Sequence, residues 1–139
     1  MRGEKVVKII KNLNLPKGHY VVFGGSTLAI RNLRDAQDID LFITDKLYTE
    51  LLQNGWRVSS SDSTKNYLLN YVEGIEIQAY KRWQKEGWQP NFKDYLKTPE
   101  VFKGIPLMPL AEMRKWKEYT ARQKDLLDVK LIDDFWSTY

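Results

Sequence analysis

Residues 23–43 read FGGSTLAIRNLRDAQDIDLFI, and this stretch decides how the amino-terminal half of the chain is expected to fold. Residues 20–23 are apolar or aromatic and predict a short buried strand, which ends at a pair of glycines that predicts a tight turn. Ser26 is expected to cap a short helix that reaches about Leu33. Residues 39–43 then predict a second strand. The stretch therefore predicts a strand, a turn, a helix and a strand in close succession.

Two acidic residues, Asp38 and Asp40, stand at the start of that second strand. Side chains alternate between the two faces of a strand, so the two carboxylates project together while Ile39, Leu41 and Ile43 face the other side. Two neighbouring carboxylates repel each other unless a cation neutralises them. Oxygen ligands of this kind suit Mg²⁺ or Mn²⁺, which serve phosphoryl and nucleotidyl transfer. The alternative is an edge strand whose acidic residues only face solvent.

The composition limits the classes of protein to which the chain can belong. A length of 139 residues is expected to form one domain, spanning residues 1–139. The net charge of +4 slightly favours a polyanionic ligand. Cysteine is absent, which excludes thiol nucleophiles and cysteine–zinc sites and favours a cytoplasmic location. No apolar run approaches the ~20 residues of a membrane span, so no membrane association is expected.

The rest of the chain alternates helical and strand patterns, which predicts a mixed α/β (α+β) domain with a small mixed sheet flanked by helices. Residues 67–72 and 75–80 predict a β-hairpin, because a two-residue Glu-Gly link joins them. Glu76 lies on the second of these strands and is expected to point away from the apolar face. If this strand is a neighbour of the strand that carries Asp40, three carboxylates could converge.

Several helices are expected around this sheet. The first contains Val6, Ile9, Ile10 and Leu13, and a later one is capped by Thr44 or Asp45, faces Leu47, Leu51 and Leu52 inward and ends at Gly55. Residues 81–104 predict a loop with a short helix. Two helices are expected to close the chain, one over about 109–120 and one whose apolar stripe contains Leu127, Leu131 and Phe135, with Ile132 and Trp136 beside it.

These motifs together resemble the nucleotidyltransferase superfamily with the DNA polymerase beta type of fold, in its small stand-alone bacterial form. The first shared motif is the apolar residue, glycine pair and serine at 23–26, followed by the aspartate pair and Leu41. The second is a later strand with one acidic residue, here Glu76, where many members have aspartate. The third is the segment ARQKDLLDVKL at 121–131, which is similar to the Arg-x-Lys-Asp-x-x-Asp helix of such proteins.

The resemblance implies a minimal nucleotidyltransferase fold and a role for each matched residue. Asp38, Asp40 and Glu76 would be the catalytic and metal-binding residues. The nucleotide-binding residues would be Gly24, Gly25, Ser26, Arg34, Lys117, Arg122 and Lys124. A turn of glycines that opens a helix also suits phosphate, because the backbone can approach closely and its N–H groups point at the anion. For the basic residues the alternative is structural, with Arg122 or Lys124 paired to Asp125 or Asp128.

The activity implied by the resemblance is the transfer of a nucleoside monophosphate from a nucleoside triphosphate to an acceptor, with release of pyrophosphate. The acceptor stays open among RNA, protein and a small molecule. A chain of this length would need a homodimer or a partner protein to bind a large RNA. The alternative is a catalytically inactive binding module of the same fold, such as a toxin–antitoxin component. An aromatic group, listed as Tyr80, Trp83, Trp88, Phe92 and Tyr95, could stack a base or simply pack a loop onto the core.

Overall fold

A computed structural model of the chain describes residues 1–59, 67–82 and 90–138. The helices are α1 (Gly3–Asn12), α2 (Gly25–Ile30), α3 (Asp45–Gln53), α4 (Phe92–Lys97), α5 (Leu110–Thr120) and α6 (Gln123–Ser137). The strands are β1 (Tyr20–Phe23), β2 (Ile39–Ile43), β3 (Arg57–Val58), β4 (Tyr67–Val72), β5 (Ile75–Tyr80), β6 (Glu100–Phe102) and β7 (Ile105–Leu107). The predicted mixed α+β class is confirmed, including the two carboxyl-terminal helices.

The described strands form one mixed sheet in the order β3-β4-β5-β2-β1-β7-β6. Strand β2 is antiparallel to β1 and parallel to β5, so it lies at the centre of the sheet. The predicted hairpin is confirmed, because β4 and β5 pair in an antiparallel register from Tyr67–Tyr80 to Val72–Ile75. The strand that carries Asp40 and the strand that carries Glu76 are therefore neighbours, as convergence of the three carboxylates requires.

Two apolar clusters cover the two faces of this sheet. The first joins one side of β2 to α1 and α3, and its buried members include Ile10, Leu41 and Leu47. The second joins the other face of the central strands to α4, α5 and α6, and its members include Phe92 and Met113. Both faces of the central strands are thus excluded from water, which explains why β1 is apolar throughout. Among the described helices, none is long and apolar enough to span a membrane.

Three local predictions about helices are wrong. Gly24, and not Ser26, occupies the N-cap of α2, because its φ of 75° is accessible to glycine without strain and turns the chain directly into the helix. The same helix ends at Ile30 instead of about Leu33. In α3 the cap is Thr44, as one of the two alternatives predicted, but Leu52 lies on the outer face and is 41% exposed.

The carboxyl-terminal half differs from the prediction at two further places. The segment 81–104 contains the expected short helix, α4, but it also contains β6, which pairs with β7 as an edge hairpin. In α6 the predicted apolar stripe is only partly buried, since Leu127 is 61% exposed whereas Phe135 packs against the second apolar cluster. The residues of α6 that are buried are Asp125, Asp128 and Ile132. Two charged side chains therefore replace part of the expected apolar contact.

Candidate functional site

One cleft brings most of the predicted site residues together. It has a volume of about 820 Å³ and lies between the sheet and the α5–α6 pair. The sheet side contributes Gly24, Gly25, Asp38 and Asp40, and the helix side contributes Lys117, Arg122, Lys124, Asp125, Leu127 and Asp128. The aspartate pair on one side thus shares a single open space with basic and acidic residues on the other.

The glycine turn is pressed against the second aspartate of the pair. Because β1 and β2 are antiparallel with Phe23 opposite Asp40, the residue after Phe23 must pass the Asp40 side chain. A Cβ added at Gly24 would lie 2.8 Å from Oδ2 of Asp40, and the φ of +75° disfavours any other residue. Glycine is therefore required at position 24, because the Asp40 carboxylate leaves no room for a side chain there.

Asp40 itself lies where a charged carboxylate is unfavourable. Its Oδ1 atom is buried, and no hydrogen-bond partner for it exists among the described residues. Burial, together with the nearby charges of Asp38 and Glu76, raises the pKa of Asp40 to about 8. Burial and Glu76 also raise the pKa of Asp38. A buried carboxylate oxygen without a donor is an energetically unfavourable arrangement that a bound cation relieves, so these two residues fit a divalent metal.

Glu76 is near enough to affect both aspartates electrostatically, but it does not line the cleft. One of its oxygens accepts a hydrogen bond from the Tyr71 hydroxyl at 3.4 Å and the other accepts one from the Gln78 amide at 3.1 Å. Among the described residues, no three acidic, histidine or cysteine side chains are gathered closely enough to hold a metal ion. The aspartate pair is in place, whereas Glu76 is held by its neighbours on the sheet.

Ser26 and Arg34 have structural contacts that the motif alone did not indicate. The Ser26 hydroxyl is buried and donates to the Phe23 carbonyl at 3.3 Å, so it holds the turn and does not line the cleft. Arg34 donates twice to Asp128, from Nε at 2.7 Å and from Nη2 at 3.0 Å. A Cβ at Gly25 would lie 2.9 Å from the Arg34 guanidinium. Arg34 therefore connects the glycine turn to α6.

Lys117 and Arg122 are both paired with the buried acidic residues of α6. The Lys117 amine lies 3.1 Å from Asp128 and 3.4 Å from Asp125, and Arg122 Nε lies 2.7 Å from Asp125. Burial raises the pKa of Asp125, but hydrogen bonds from Arg122 and Thr120 and the charge of Lys117 outweigh it, so the net shift is downward. The predicted pairing of Arg122 with Asp125 is thus present, since the Arg122 backbone N–H and its guanidinium both donate to that carboxylate. The Arg122 side chain is also 57% exposed and lines the cleft, so it stays accessible to a ligand.

Lys124 differs from the other basic residues of the cleft. It is exposed, it lines the cleft, and no ion pair with it occurs among residues 1–59, 67–82 and 90–138. The charge of Lys124 partly offsets the upward shift in the pKa of Asp38, so Lys124 lies within electrostatic reach of the aspartate pair. Arg34, Asp35 and the aspartate pair line the sheet side. On the helix side, Lys117, Arg122 and Lys124 give three positive side chains against the two carboxylates of α6. This side of the cleft therefore has an excess of positive charge.

The aromatic group predicted for base stacking or loop packing contributes to the core. Tyr80, Phe92 and Tyr95 are buried, and Phe92 stacks on Phe42 with ring centroids 4.0 Å apart. Trp83 and Trp88 lie outside the described residues. Trp116, a residue outside the predicted aromatic group, does line the cleft and stacks on Phe23. No local motif marks Trp116, because its position depends on how α5 packs against β1.

Comparison with known proteins adds no relative: no family model, curated protein or solved structure matches this chain. The family resemblance therefore rests on the residues at 23–26, 38–41, 76 and 121–131, and the argument for function rests on the geometry of the cleft.

Proposed function

We propose that this chain is a metal-dependent nucleotidyltransferase, which transfers a nucleoside monophosphate from a nucleoside triphosphate to an acceptor. The observation that supports this most strongly is Asp40, whose buried Oδ1 has no partner among the described residues and whose pKa is raised to about 8. Asp38 stands beside it, and both face a cleft whose helix side carries three basic residues against two acidic ones. Carboxylates bind divalent cations and basic side chains bind phosphates, so this arrangement suits a metal–triphosphate complex.

In this proposal the chain's residues divide the work. Asp38 and Asp40 would hold Mg²⁺, which when bound would stabilise the charge that develops on the transferred phosphate. Lys124 binds the phosphates, since it carries no ion pair among the described residues, and Lys117 and Arg122 share their charge between the phosphates and Asp125. Gly24 and Gly25 let the backbone approach the phosphates because they carry no side chain.

The reaction is an in-line displacement at the α-phosphorus. The acceptor oxygen forms a bond to that phosphorus while the bond to the bridging oxygen breaks, so pyrophosphate leaves with that oxygen. The hydroxyl proton of the acceptor passes to a carboxylate, for which Glu76 is the proposed residue, or to water. The excess of basic residues on the helix side would then stabilise the leaving pyrophosphate.

A second candidate is a catalytically inactive module of the same fold that binds a partner, such as a toxin–antitoxin component. The observation that favours it is Glu76, which lies outside the cleft lining and has both oxygens hydrogen-bonded to Tyr71 and Gln78. In that case the aspartate pair would bind a metal and a nucleotide without a third acidic residue to take the acceptor proton.

Binding and turnover separate these candidates. Isothermal titration of MgCl₂ with each nucleoside triphosphate would be compared between the wild type and an Asp38→Asn, Asp40→Asn double variant. Asp134→Asn is a matched control, since Asp134 is an exposed acidic residue of α6 outside the cleft lining. The proposal predicts metal-dependent binding that only the double variant loses. Transfer from an α-³²P nucleotide to RNA, protein or small-molecule acceptors, with pyrophosphate release, then distinguishes the enzyme from the binding module.

A further inference from the structure

The cleft has an apolar part that neither the metal nor the phosphates would use. Leu127 lines it and is 61% exposed, although it is a large apolar side chain in a space otherwise rich in charge. Leu131, Met113 and Trp116 line the same cleft. An exposed leucine is unremarkable on an open surface, but several apolar side chains that share a cleft indicate a site for an apolar group.

Helical spacing connects this apolar part to the basic part. Lys124, Leu127 and Leu131 follow one another at intervals of three and four residues, so they lie along one face of α6. A rise of about 1.5 Å per residue puts Lys124 and Leu131 roughly 10 Å apart along the helix axis. A nucleotide whose phosphates lie at Lys124 therefore has the length to place its base on Leu127 and Leu131.

The floor of this apolar part is fixed by packing. The Trp116 ring stacks on Phe23, with centroids 5.4 Å apart and an interplanar angle of 15°, and Met113 beside it is fully buried. Phe23 in turn immediately precedes the glycine turn. The apolar part and the phosphate-binding part therefore adjoin at the same strand end, so a single ligand can occupy both.

We propose that Leu127, Leu131 and Trp116 form the nucleobase subsite, and that this subsite recognises the base by apolar contact and not by its hydrogen-bonding edge. The inference rests on the proposed function. The Thr120 hydroxyl already donates to Asp125 at 2.7 Å, and the Tyr80 hydroxyl already donates to Gln78. Of the other described cleft residues, Gln37 is the remaining one with a neutral amide or hydroxyl side chain, and it lies beside Asp38 on the sheet side.

This recognition has a consequence for specificity. A purine covers more apolar area than a pyrimidine, so ATP and GTP should each bind about fivefold more tightly than CTP and UTP. Adenine and guanine differ mainly in their hydrogen-bonding edges, so ATP and GTP should bind equally within about twofold. A difference of more than about tenfold between ATP and GTP would overturn the proposal, because it would require a group that reads the edge of the base.

The decisive experiment compares two ligands and two variants by titration calorimetry with Mg²⁺ present. The ligands are ATP and inorganic tripolyphosphate, which carries the phosphates without the nucleoside. The variants are Leu127→Ala and Leu126→Ala. Leu126 is the adjacent residue, is 52% exposed and does not line the cleft, so it is the matched control. Both leucines are exposed, so neither substitution should unfold the chain.

We expect Leu127→Ala to weaken ATP binding about fivefold and to leave tripolyphosphate binding unchanged within about twofold, whereas Leu126→Ala leaves both unchanged. If Leu127→Ala binds ATP as tightly as the wild type, or if both variants weaken it equally, the subsite is refuted. If the wild type binds neither ATP nor tripolyphosphate, the proposed function itself fails. The two failures are thus distinguishable.

Discussion

Replacing Asp40 by asparagine should make the metal-free protein more stable, and the gain should depend on pH. In the unfolded chain an aspartate has a pKa of about 3.9. In the folded chain, burial and the charges of Asp38 and Glu76 raise the pKa of Asp40 to about 8. Between these two values the unfolded state has released the proton while the folded state retains it. Folding therefore becomes less favourable as the pH rises, and an asparagine removes this dependence.

The size of the effect follows from the two pKa values. Each pH unit between about 4 and 8 lowers the free energy of unfolding by about 1.4 kcal/mol, which amounts to about 4 kcal/mol at pH 7. Part of the Asp40 side chain faces the cleft, and contact with solvent reduces this figure, so we expect a gain of about 2 to 4 kcal/mol in Asp40→Asn. The overall stability of a domain is typically about 5 to 15 kcal/mol, so such a gain is easily measured.

The assay is urea unfolding of the wild type and Asp40→Asn in EDTA at pH 4, 5.5, 7 and 8, analysed by linear extrapolation. The two proteins should be equally stable near pH 4, and the variant should gain stability steadily toward pH 8. A variant that is less stable than the wild type at pH 7, or a difference that does not change with pH, would refute the argument that Asp40 is destabilised by its surroundings.

Three further changes test neighbouring parts of the site. Asp125→Asn should lower the free energy of unfolding by about 3 kcal/mol at pH 7, because Arg122 loses its carboxylate partner and Lys117 keeps only Asp128. The loss should shrink below about pH 4, where the unfolded aspartate is protonated, and urea unfolding measures both effects. Gly24→Ala should lower the free energy of unfolding by at least about 1 kcal/mol in the same assay and weaken Mn²⁺ binding, because the alanine Cβ would lie 2.8 Å from Asp40. Unchanged stability and unchanged Mn²⁺ binding would contradict that close contact. Glu76→Gln should leave Mg²⁺–ATP affinity within about threefold of the wild type, while the rate of nucleotide transfer, measured by release of pyrophosphate, falls at least about 100-fold. Equal losses of binding and transfer would assign Glu76 to the metal instead.

The central strands could be predicted from the sequence because their signals are local and agree with one another. Residues 20–23, 39–43, 67–72 and 75–80 combine apolar or alternating patterns with turn residues on either side, and the structure has strands within the same bounds. Edge elements carry weaker signals. Strand β6 contains an acidic residue and exposed apolar side chains, so its pattern resembled a loop, and only pairing with β7 makes it a strand.

The errors at the site have a common physical cause, which is that one face of an element was judged from hydrophobicity alone. In α6 the apolar residues predicted an inward stripe, yet Leu127 faces the cleft and Asp125 and Asp128 are buried. Burial of these carboxylates is tolerable because Lys117 of α5, Arg34 and Arg122, the residue directly before α6, pair with them. The Arg122–Asp125 pair was predictable because the two residues are three positions apart, whereas no pattern within α6 could reveal the Arg34–Asp128 contact, which spans 94 residues.

The aspartate pair and the glycine turn were predictable because strand alternation is a strict rule. Alternation alone places Asp38 and Asp40 on one face, and the antiparallel register then brings Gly24 to Asp40. The conformation of Glu76 was not predictable in the same way. Its strand is the neighbour of β2 as expected, but its side-chain hydrogen bonds to Tyr71 and Gln78 depend on the register of the β4–β5 hairpin.

The most direct test of the account is calorimetric titration of Mg²⁺–ATP into the wild type and into Asp40→Asn at pH 7.5. Asp40→Asn is expected to remain folded, so a loss of binding reports on the carboxylate itself. The wild type is expected to bind ATP only with the metal present and to release a proton in doing so, and the variant is expected not to bind. Metal-independent binding of equal strength by both proteins, or no binding by the folded wild type, would contradict it.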